Sequence, residues 1–128
     1  MPYTVQWPKR GAYKKFSGNV TMSELLNSLS DVQCNPNYDT FEFSITDFLE
    51  VDNIALNEAD VTTYVARAIG GEFTNDKLAV GIVVTDPKMI NLLKTRYQPL
   101  VAYQVGYFST LEACSEWVLE KTGTKVEF

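Results

Sequence analysis

The sequence predicts an α/β protein with one mixed, mainly parallel sheet and helices mainly on one face of it. Segments with strand character alternate with segments of helical periodicity in the order β-β-α-β-α-β-α-β-α, and such alternation implies parallel strands joined by right-handed crossovers. The segment TFEFSITD at 40–47 alternates apolar and polar residues, whereas a strand covered by helices on both faces is apolar throughout. The second face of the sheet is therefore predicted to be open or covered by something that approaches closely.

The strands are indicated by β-branched and aromatic residues between turn formers. They are predicted at 3–7, 12–17, 40–47, 78–85 and 101–108. Pro8-Lys9-Arg10-Gly11 joins the first two, as in a hairpin. The pattern leaves open whether TKVEF at 124–128 adds a short edge strand or forms a tail.

Four helices are predicted from apolar residues at helical spacing, and each has a polar residue suited to its N-cap. These are Thr21 with Glu24, Asn57, Asp86 before Pro87, and Ser109 with Glu112. Asn35-Pro36-Asn37 is expected to end the first helix and Gly70-Gly71 the second. Caps thus explain most of the polar residues that follow the strands.

The alternation at 40–47 also predicts where side chains point. Phe41, Phe43 and Ile45 are expected towards the helices, and Glu42, Ser44 and Thr46 away from them. Residues taken to be in phase with the polar set in later strands, such as Gly81 and Gly106, are mostly small or polar.

Composition limits the classes of function. The 128 residues fit one domain spanning 1–128, with 45% hydrophobic and 21% charged residues. A net charge of -5 and a pI of about 4.6 disfavour nucleic acid and anionic membranes as partners. No apolar run approaches the ~20 residues of a transmembrane helix. The start lacks the apolar region of a signal peptide, so the expected location is the cytoplasm.

The residue types also exclude much chemistry. There is no histidine, which removes Ser-His-Asp and Cys-His nucleophile pairs and every zinc site containing histidine. Cys34 and Cys114 are far apart in sequence and are expected to be free thiols. Neither a cofactor nor a metal is predicted.

Two aspartates are candidate binding residues because each follows a strand. Asp86 has a structural explanation as an N-cap. Asp47 caps no helix directly and lies at the carboxyl edge of the sheet, where ligands of open α/β sheets gather. If the two strands are neighbours, about 4.8 Å apart, both aspartates approach each other and suit a hard divalent cation. The alternative is that Asp47 bonds the N–H groups of the turn at 48–53.

Aromatic residues give two further candidates. Tyr103 and Tyr107, together with Tyr97, are candidates for lining a pocket. The alternative is that they lie at the rim of the core or in an interface. The segment WPKRGAYKKF interleaves basic and aromatic residues, a pattern seen in binding of single-stranded nucleic acid. Because the rest of the chain is acidic, a solvated edge hairpin whose lysines discourage association is the preferred interpretation.

Four stretches resemble the STAS or anti-sigma-factor-antagonist (SpoIIAA-like) fold. They are FSGNVTMSELL at 16–26, FEFSITDFLEVD at 41–52, VGIVVTDPKM at 80–89 and FSTLEACSEWV at 108–118. More narrowly, the chain resembles small bacterial proteins grouped as STAS/SEC14-domain proteins. The resemblance spans nearly the whole chain but rests on caps and core positions, which identify a fold better than a function.

The resemblance implies two functional features, and neither transfers fully. In the antagonist family, a serine just after the third strand is phosphorylated by a kinase partner, but the stretch at 47–52 has no serine or threonine. SEC14 proteins of related topology bind lipids in an apolar pocket under a helical lid, for which this chain is short.

The leading hypothesis is a non-enzymatic regulatory or protein-interaction module, with a protein partner or as a homodimer. The alternative is a carrier or sensor for a small ligand or lipid, held between the sheet and the helices near the tyrosines. An enzyme would have to use Asp47 and Asp86 with a metal, and no other residue supports that.

Overall fold

The computed structural model describes residues 3–54, 56–72 and 75–128, apart from the side chain of Glu72. In these ranges one sheet contains β1 (Tyr3–Gln6), β2 (Gly11–Val20), β3 (Phe43–Ile54), β4 (Ala79–Val83) and β5 (Gln104–Phe108), in the spatial order β1-β2-β3-β4-β5. β1 runs antiparallel to β2, and every other neighbouring pair is parallel. The predicted mixed, mainly parallel sheet is confirmed.

The helices follow the strands in the predicted order. They are α1 (Met22–Gln33), α2 (Glu58–Glu72), α3 (Pro87–Arg96) and α4 (Leu111–Thr122). Three predicted caps are confirmed: Thr21 accepts the N–H of Glu24 at 3.2 Å, Asn57 that of Asp60 at 2.8 Å and Asp86 that of Lys88 at 3.0 Å. The fourth is wrong by one residue. Thr110, not Ser109, caps α4 by accepting the N–H of Ala113 at 3.1 Å.

The helices divide unequally between the two faces of the sheet. α1, α2 and α3 cover one face, which we call the three-helix face, and α4 alone covers the other, the α4 face. The three-helix face buries Ala12, Phe16, Phe48, Val80 and Ile82 with residues of those helices. The α4 face buries Tyr13, Phe43, Ile45, Val83, Cys114 and Val118. The prediction that helices lie mainly on one face therefore holds.

The predicted directions of the β3 side chains need correction. Phe43 and Ile45 are buried under a helix, but that helix is α4. Ser44 and Thr46 are each only 6% exposed and lie on the three-helix face instead of an open one. The predicted directions are wrong because Gly81 pairs with Ile45 and not with the polar residues of β3.

Gly81 allows α4 to pack closely against the α4 face of the sheet. A Cβ atom at this position would overlap the Sγ atom of Cys114 on α4. The small residue in β4 is therefore required by the approach of the helix, and both faces of the sheet are covered.

The strand β3 is longer than predicted. The sequence indicates a polar loop after Asp47, but β3 continues to Ile54, and its residues from Glu50 onwards pair with β2 alone. The stretch at 124–128 forms no strand; Thr124 hydrogen-bonds to Glu42, and the ring of Phe128 lies 4.7 Å from that of Tyr13.

Every helix in the described part of the chain is too short or too polar to span a membrane.

Candidate functional site

Asp47 is buried on the α4 face. Its side chain is only 4% exposed. The hydroxyl of Tyr13 donates to Oδ2 at 2.5 Å, and the backbone N–H of Leu49 donates to Oδ1 at 2.9 Å. The second bond is made to one N–H group after residue 47, as the turn interpretation expects, but residues 48–53 continue β3 and do not form the expected turn. Asp47 thereby stabilises the place where β3 passes beyond β4.

Burial around Asp47 makes its neighbours poor acids. Desolvation, followed by the hydrogen bond to Asp47, raises the pKa of Tyr13 well above its usual value. Burial, followed by the negative charge of Asp47, raises the pKa of Cys114 to about 12. A thiol with such a pKa stays protonated near neutral pH and is a weak nucleophile.

Asp86 lies apart from this cluster, exposed at the start of α3. Its carboxylate is the N-cap of the helix, and Pro87 occupies the first helical turn. Asp47 pairs in register with Val83 at the end of β4, three residues before Asp86. No hydrogen bond among the described residues connects the two carboxylates. In the same ranges no group of three or more histidine, cysteine or acidic residues is arranged to hold a metal ion.

The candidate tyrosines occupy different environments. The hydroxyl of Tyr103 lies 2.6 Å from that of Tyr97 in the core, where burial raises the pKa of Tyr97 well above its usual value. Tyr107 is half-buried, and the ammonium of Lys94 lies 5.4 Å from its ring centroid. Its hydroxyl is buried and has no hydrogen-bond partner in the described part of the chain, and burial raises its pKa to about 12.

The extra length of β3 creates a cleft at the carboxyl edge of the sheet. The residues Glu50–Ile54 project with Ser17–Val20 of β2 as a two-stranded ribbon that β4 does not reach. Between this ribbon and the start of α3 lies an open cavity of about 140 Å³. It is lined by residues that include Leu49, Asp52, Asn53, Thr85 and Asp86. We refer to it as the ribbon cleft.

Sequence reasoning missed Lys14. The preferred interpretation placed the lysines of the first hairpin in solvent, but Lys14 is 2% exposed and points to the three-helix face. The hairpin's second strand, β2, is internal to the sheet, and only β1 lies at the edge. The signal was available in the pattern, because Lys14 lies two residues from both Ala12 and Phe16, which are fully buried.

Comparison with solved structures identifies the fold. SpoIIAA, an anti-sigma factor antagonist in its unphosphorylated form, matches over 95% of this chain and 99% of its own, with a TM-score of 0.59 and 9% identity. An uncharacterised protein of the DUF3478 family from Shewanella loihica PV-4, with a SpoIIAA-like fold, matches over 91% of each chain, with a TM-score of 0.56 and 9% identity. The sequence matches no family profile and no curated protein. The architecture nevertheless agrees over almost the entire chain, which therefore has the SpoIIAA-like, or STAS-like, fold.

Proposed function

We propose that this chain is a non-enzymatic regulatory module that binds a partner protein, as STAS domains do. The observation that supports the proposal most is the extent of the fold match, which includes 99% of the anti-sigma factor antagonist SpoIIAA. The polar residues near the strand ends support a non-enzymatic role, because each of them already has a structural task. Asp86, Asn57 and Thr110 are occupied as helix caps, and Asp47 is held by Tyr13 and Leu49.

The docking surface we propose is the ribbon cleft. Beyond Asp47, the side of β3 that faces away from β2 has no strand partner in the described ranges. An unpaired strand edge is a template for an added strand, with main-chain hydrogen bonds giving affinity. Leu49, which is 43% exposed, offers an apolar contact next to this edge.

The charge of the cleft defines the kind of partner. Asp52 and Asp86 are exposed members of its lining, and the lining contains no lysine or arginine. The chain as a whole carries a net charge of -5. We therefore propose that the occupant is an extended, basic segment of a partner protein, since complementary charge favours association and register.

The proposal does not include a phosphoswitch at the start of α2. Asn57 caps this helix, and residues 47–61 contain no serine or threonine. In this chain the partner is expected to bind and dissociate without covalent modification there.

The test places a photo-crosslinking amino acid at position 53 in the cleft and, as a control, at position 120 on the exposed side of α4, in cells of the native host. We expect a discrete adduct with a different protein from position 53 only. Mass spectrometry should locate the linked residue in a segment rich in lysine and arginine. The double variant Asp52→Asn/Asp86→Asn retains a good N-cap and should weaken this adduct, whereas Glu116→Gln/Glu120→Gln should not.

Three results would contradict the proposal. An adduct between two copies of this chain would replace the partner with a homodimer. An adduct from position 120 alone would place the interface on α4. No adduct from either position would remove the docking surface altogether.

A further inference from the structure

The three-helix face contains a buried lysine that the docking function does not use. Lys14 lies in β2 and pairs in register with Thr46 of β3. Its neighbours on the same face, Ala12 and Phe16, are fully buried in the core, and Lys14 itself is 2% exposed. A lysine is almost never buried to this extent unless its ammonium is paired.

Lys14 has no such partner in the described part of the chain. No carboxylate there forms an ion pair with its ammonium, and no hydrogen bond reaches it. The adjacent Lys15 shows the contrast, because it is partly exposed and pairs with Glu50 at 3.2 Å. An unpaired buried amine is unfavourable, and more so when it is charged.

Two side-chain hydroxyls on the neighbouring strand are also buried without a hydrogen-bond partner among the described residues. Ser44 and Thr46 are each 6% exposed and follow one another on this face of β3. Neither side chain makes a hydrogen bond with any described residue. The side chains of Lys14, Ser44 and Thr46 therefore line the same part of this face with their donor capacity unused, and such a set favours a ligand that only accepts.

The patch opens into two adjacent cavities under α1, α2 and α3, which we call the Lys14 cavities. The smaller, of about 20 Å³, is lined by Lys14, Ser44 and Thr46. The larger, of about 40 Å³, is lined mainly by apolar side chains. Both share Thr46, Tyr64, Val80 and Tyr97 in their walls. Since one water needs roughly 10–15 Å³, together they accept a few non-hydrogen atoms.

We infer that the Lys14 cavities bind a small monocarboxylate with a short apolar chain. The carboxylate accepts hydrogen bonds from the Lys14 ammonium and from the hydroxyls of Ser44 and Thr46. The apolar chain extends into the larger cavity, between Phe48 and Ile82. A single cation suits a single negative charge, and Asp60 in the wall of the larger cavity disfavours a second carboxylate at the other end.

The location makes this site separate from the ribbon cleft. The partly exposed lining residues Met22, Leu56 and Asp60 place the mouth of the larger cavity between the starts of α1 and α2. The ligand is therefore held inside the three-helix face, and its binding does not depend on the docking function.

The test uses the purified chain alone, with sodium butyrate as the probe and sodium chloride at equal ionic strength as the reference. Butyrate should raise the melting temperature of the wild type, because a ligand that binds only the folded state stabilises it. Titration calorimetry should show that Lys14→Met weakens butyrate binding by roughly tenfold or more, as expected from the loss of a charge-assisted hydrogen bond. The matched control Lys15→Met should bind as the wild type does.

Two further measurements keep the test decisive. Without butyrate, Lys14→Met should melt at a higher temperature than the wild type, because it removes an unpaired amine from the core. If this variant fails to fold, Thr46→Val replaces it, and it should also weaken binding. Equal protection by chloride and butyrate, equal butyrate binding by the variants and the wild type, or no binding at millimolar butyrate would each overturn the inference. None of these results bears on the photo-crosslinks from position 53.

Discussion

The two faces of the sheet differ in how closely they are packed. On the α4 face, Phe43, Ile45, Val83 and Val118 are fully buried, and α4 approaches so closely that only glycine fits at position 81. The three-helix face buries more residues under three helices, yet it contains the Lys14 cavities and three polar side chains. A larger apolar core is thus compatible with looser packing.

The difference in packing implies that the two faces contribute unequally to stability. Closely packed interiors gain the most from dispersion and apolar burial, and the α4 face combines full burial with a close approach of α4 at Gly81. Cavities and unpaired polar groups reduce stability, so the three-helix face is expected to gain less from its packing. The α4 face should therefore respond more strongly to a loss of packing.

The largest expected effect comes from two phenylalanines of β3. Phe43→Ala should lower the free energy of unfolding by about 3–5 kcal/mol, because it empties a fully packed site. Phe48→Ala should have a smaller effect, because Phe48 is slightly exposed and borders the larger of the Lys14 cavities. Urea denaturation followed by circular dichroism measures both. Equal effects would mean that the faces are packed alike.

The second effect tests the close approach of α4. Gly81→Ala should cost about 1–3 kcal/mol by overpacking, since the added methyl group meets the Sγ atom of Cys114. In a Cys114→Ala background the same change should cost less, because the obstructing atom is gone. Gly70→Ala is the matched control; its Cβ meets nothing within 4 Å, and it should stabilise α2 by up to about 1 kcal/mol. If the effects of Gly81→Ala and Cys114→Ala on the free energy of unfolding simply added, the proposed contact between the two positions would be contradicted.

The third effect concerns the N-caps. Asp86→Ala at α3 and Thr110→Ala at α4 should each lower stability by about 1 kcal/mol, because each removes an acceptor for a backbone N–H. Ser109→Ala should be nearly neutral, as Ser109 is exposed and is not the cap. Thermal melts of the three variants measure this. A larger loss for Ser109→Ala than for Thr110→Ala would restore the cap that the sequence predicts.

The sequence predicts much of this fold because its signals are local. Strand and helix order, three of the caps and the parallel pairing follow from periodicity and turn chemistry. Ser109 and Thr110 are both good N-caps, so the sequence cannot choose between them, and Glu112 favours the wrong one. The phase of β3 relative to β4 fails for a different reason. It depends on register, and only the pairing of Ile45 with Gly81 fixes it.

The candidate site is harder to predict because it depends on burial. Asp47 and Tyr13 are distant in sequence, and their hydrogen bond arises only from the pairing of β2 with β3. Lys14 appears solvated when β2 is taken as an edge strand, and it becomes buried once β1 occupies the edge. The alternation of Lys14 with Ala12 and Phe16 is a local signal for its burial, whereas the sequence contains no local signal for the contact between Asp47 and Tyr13.

The smallest effect on stability concerns the two thiols, which report on the α4 face without perturbing it. Cys34 is exposed and Cys114 is buried. At neutral pH, a disulfide reagent should modify Cys34 of the folded protein quickly, and Cys114 only as the protein unfolds. A Cys34→Ala variant should therefore show almost no fast reaction. Fast modification of Cys114 would mean that α4 separates readily from the sheet.

The raised pKa of Cys114 extends this test to alkaline pH. Its pKa rises from the ordinary value of 9.0 to about 12 in the folded protein, mainly through burial. The folded state thus retains a proton that the unfolded state releases, so the contribution of Cys114 to stability is fully present well below pH 9 and is lost as the pH rises from about 9 to 12. Ionisation of the buried tyrosines also lowers the stability of the protein in an overlapping pH range, but these tyrosines are present in both the wild type and Cys114→Ala. This variant should therefore lose less free energy of unfolding than the wild type as the pH rises from 8 to 10.5. Urea denaturation at each pH measures this. An equal fall in the free energy of unfolding of the two proteins between pH 8 and 10.5 would contradict the close packing of the thiol beneath α4.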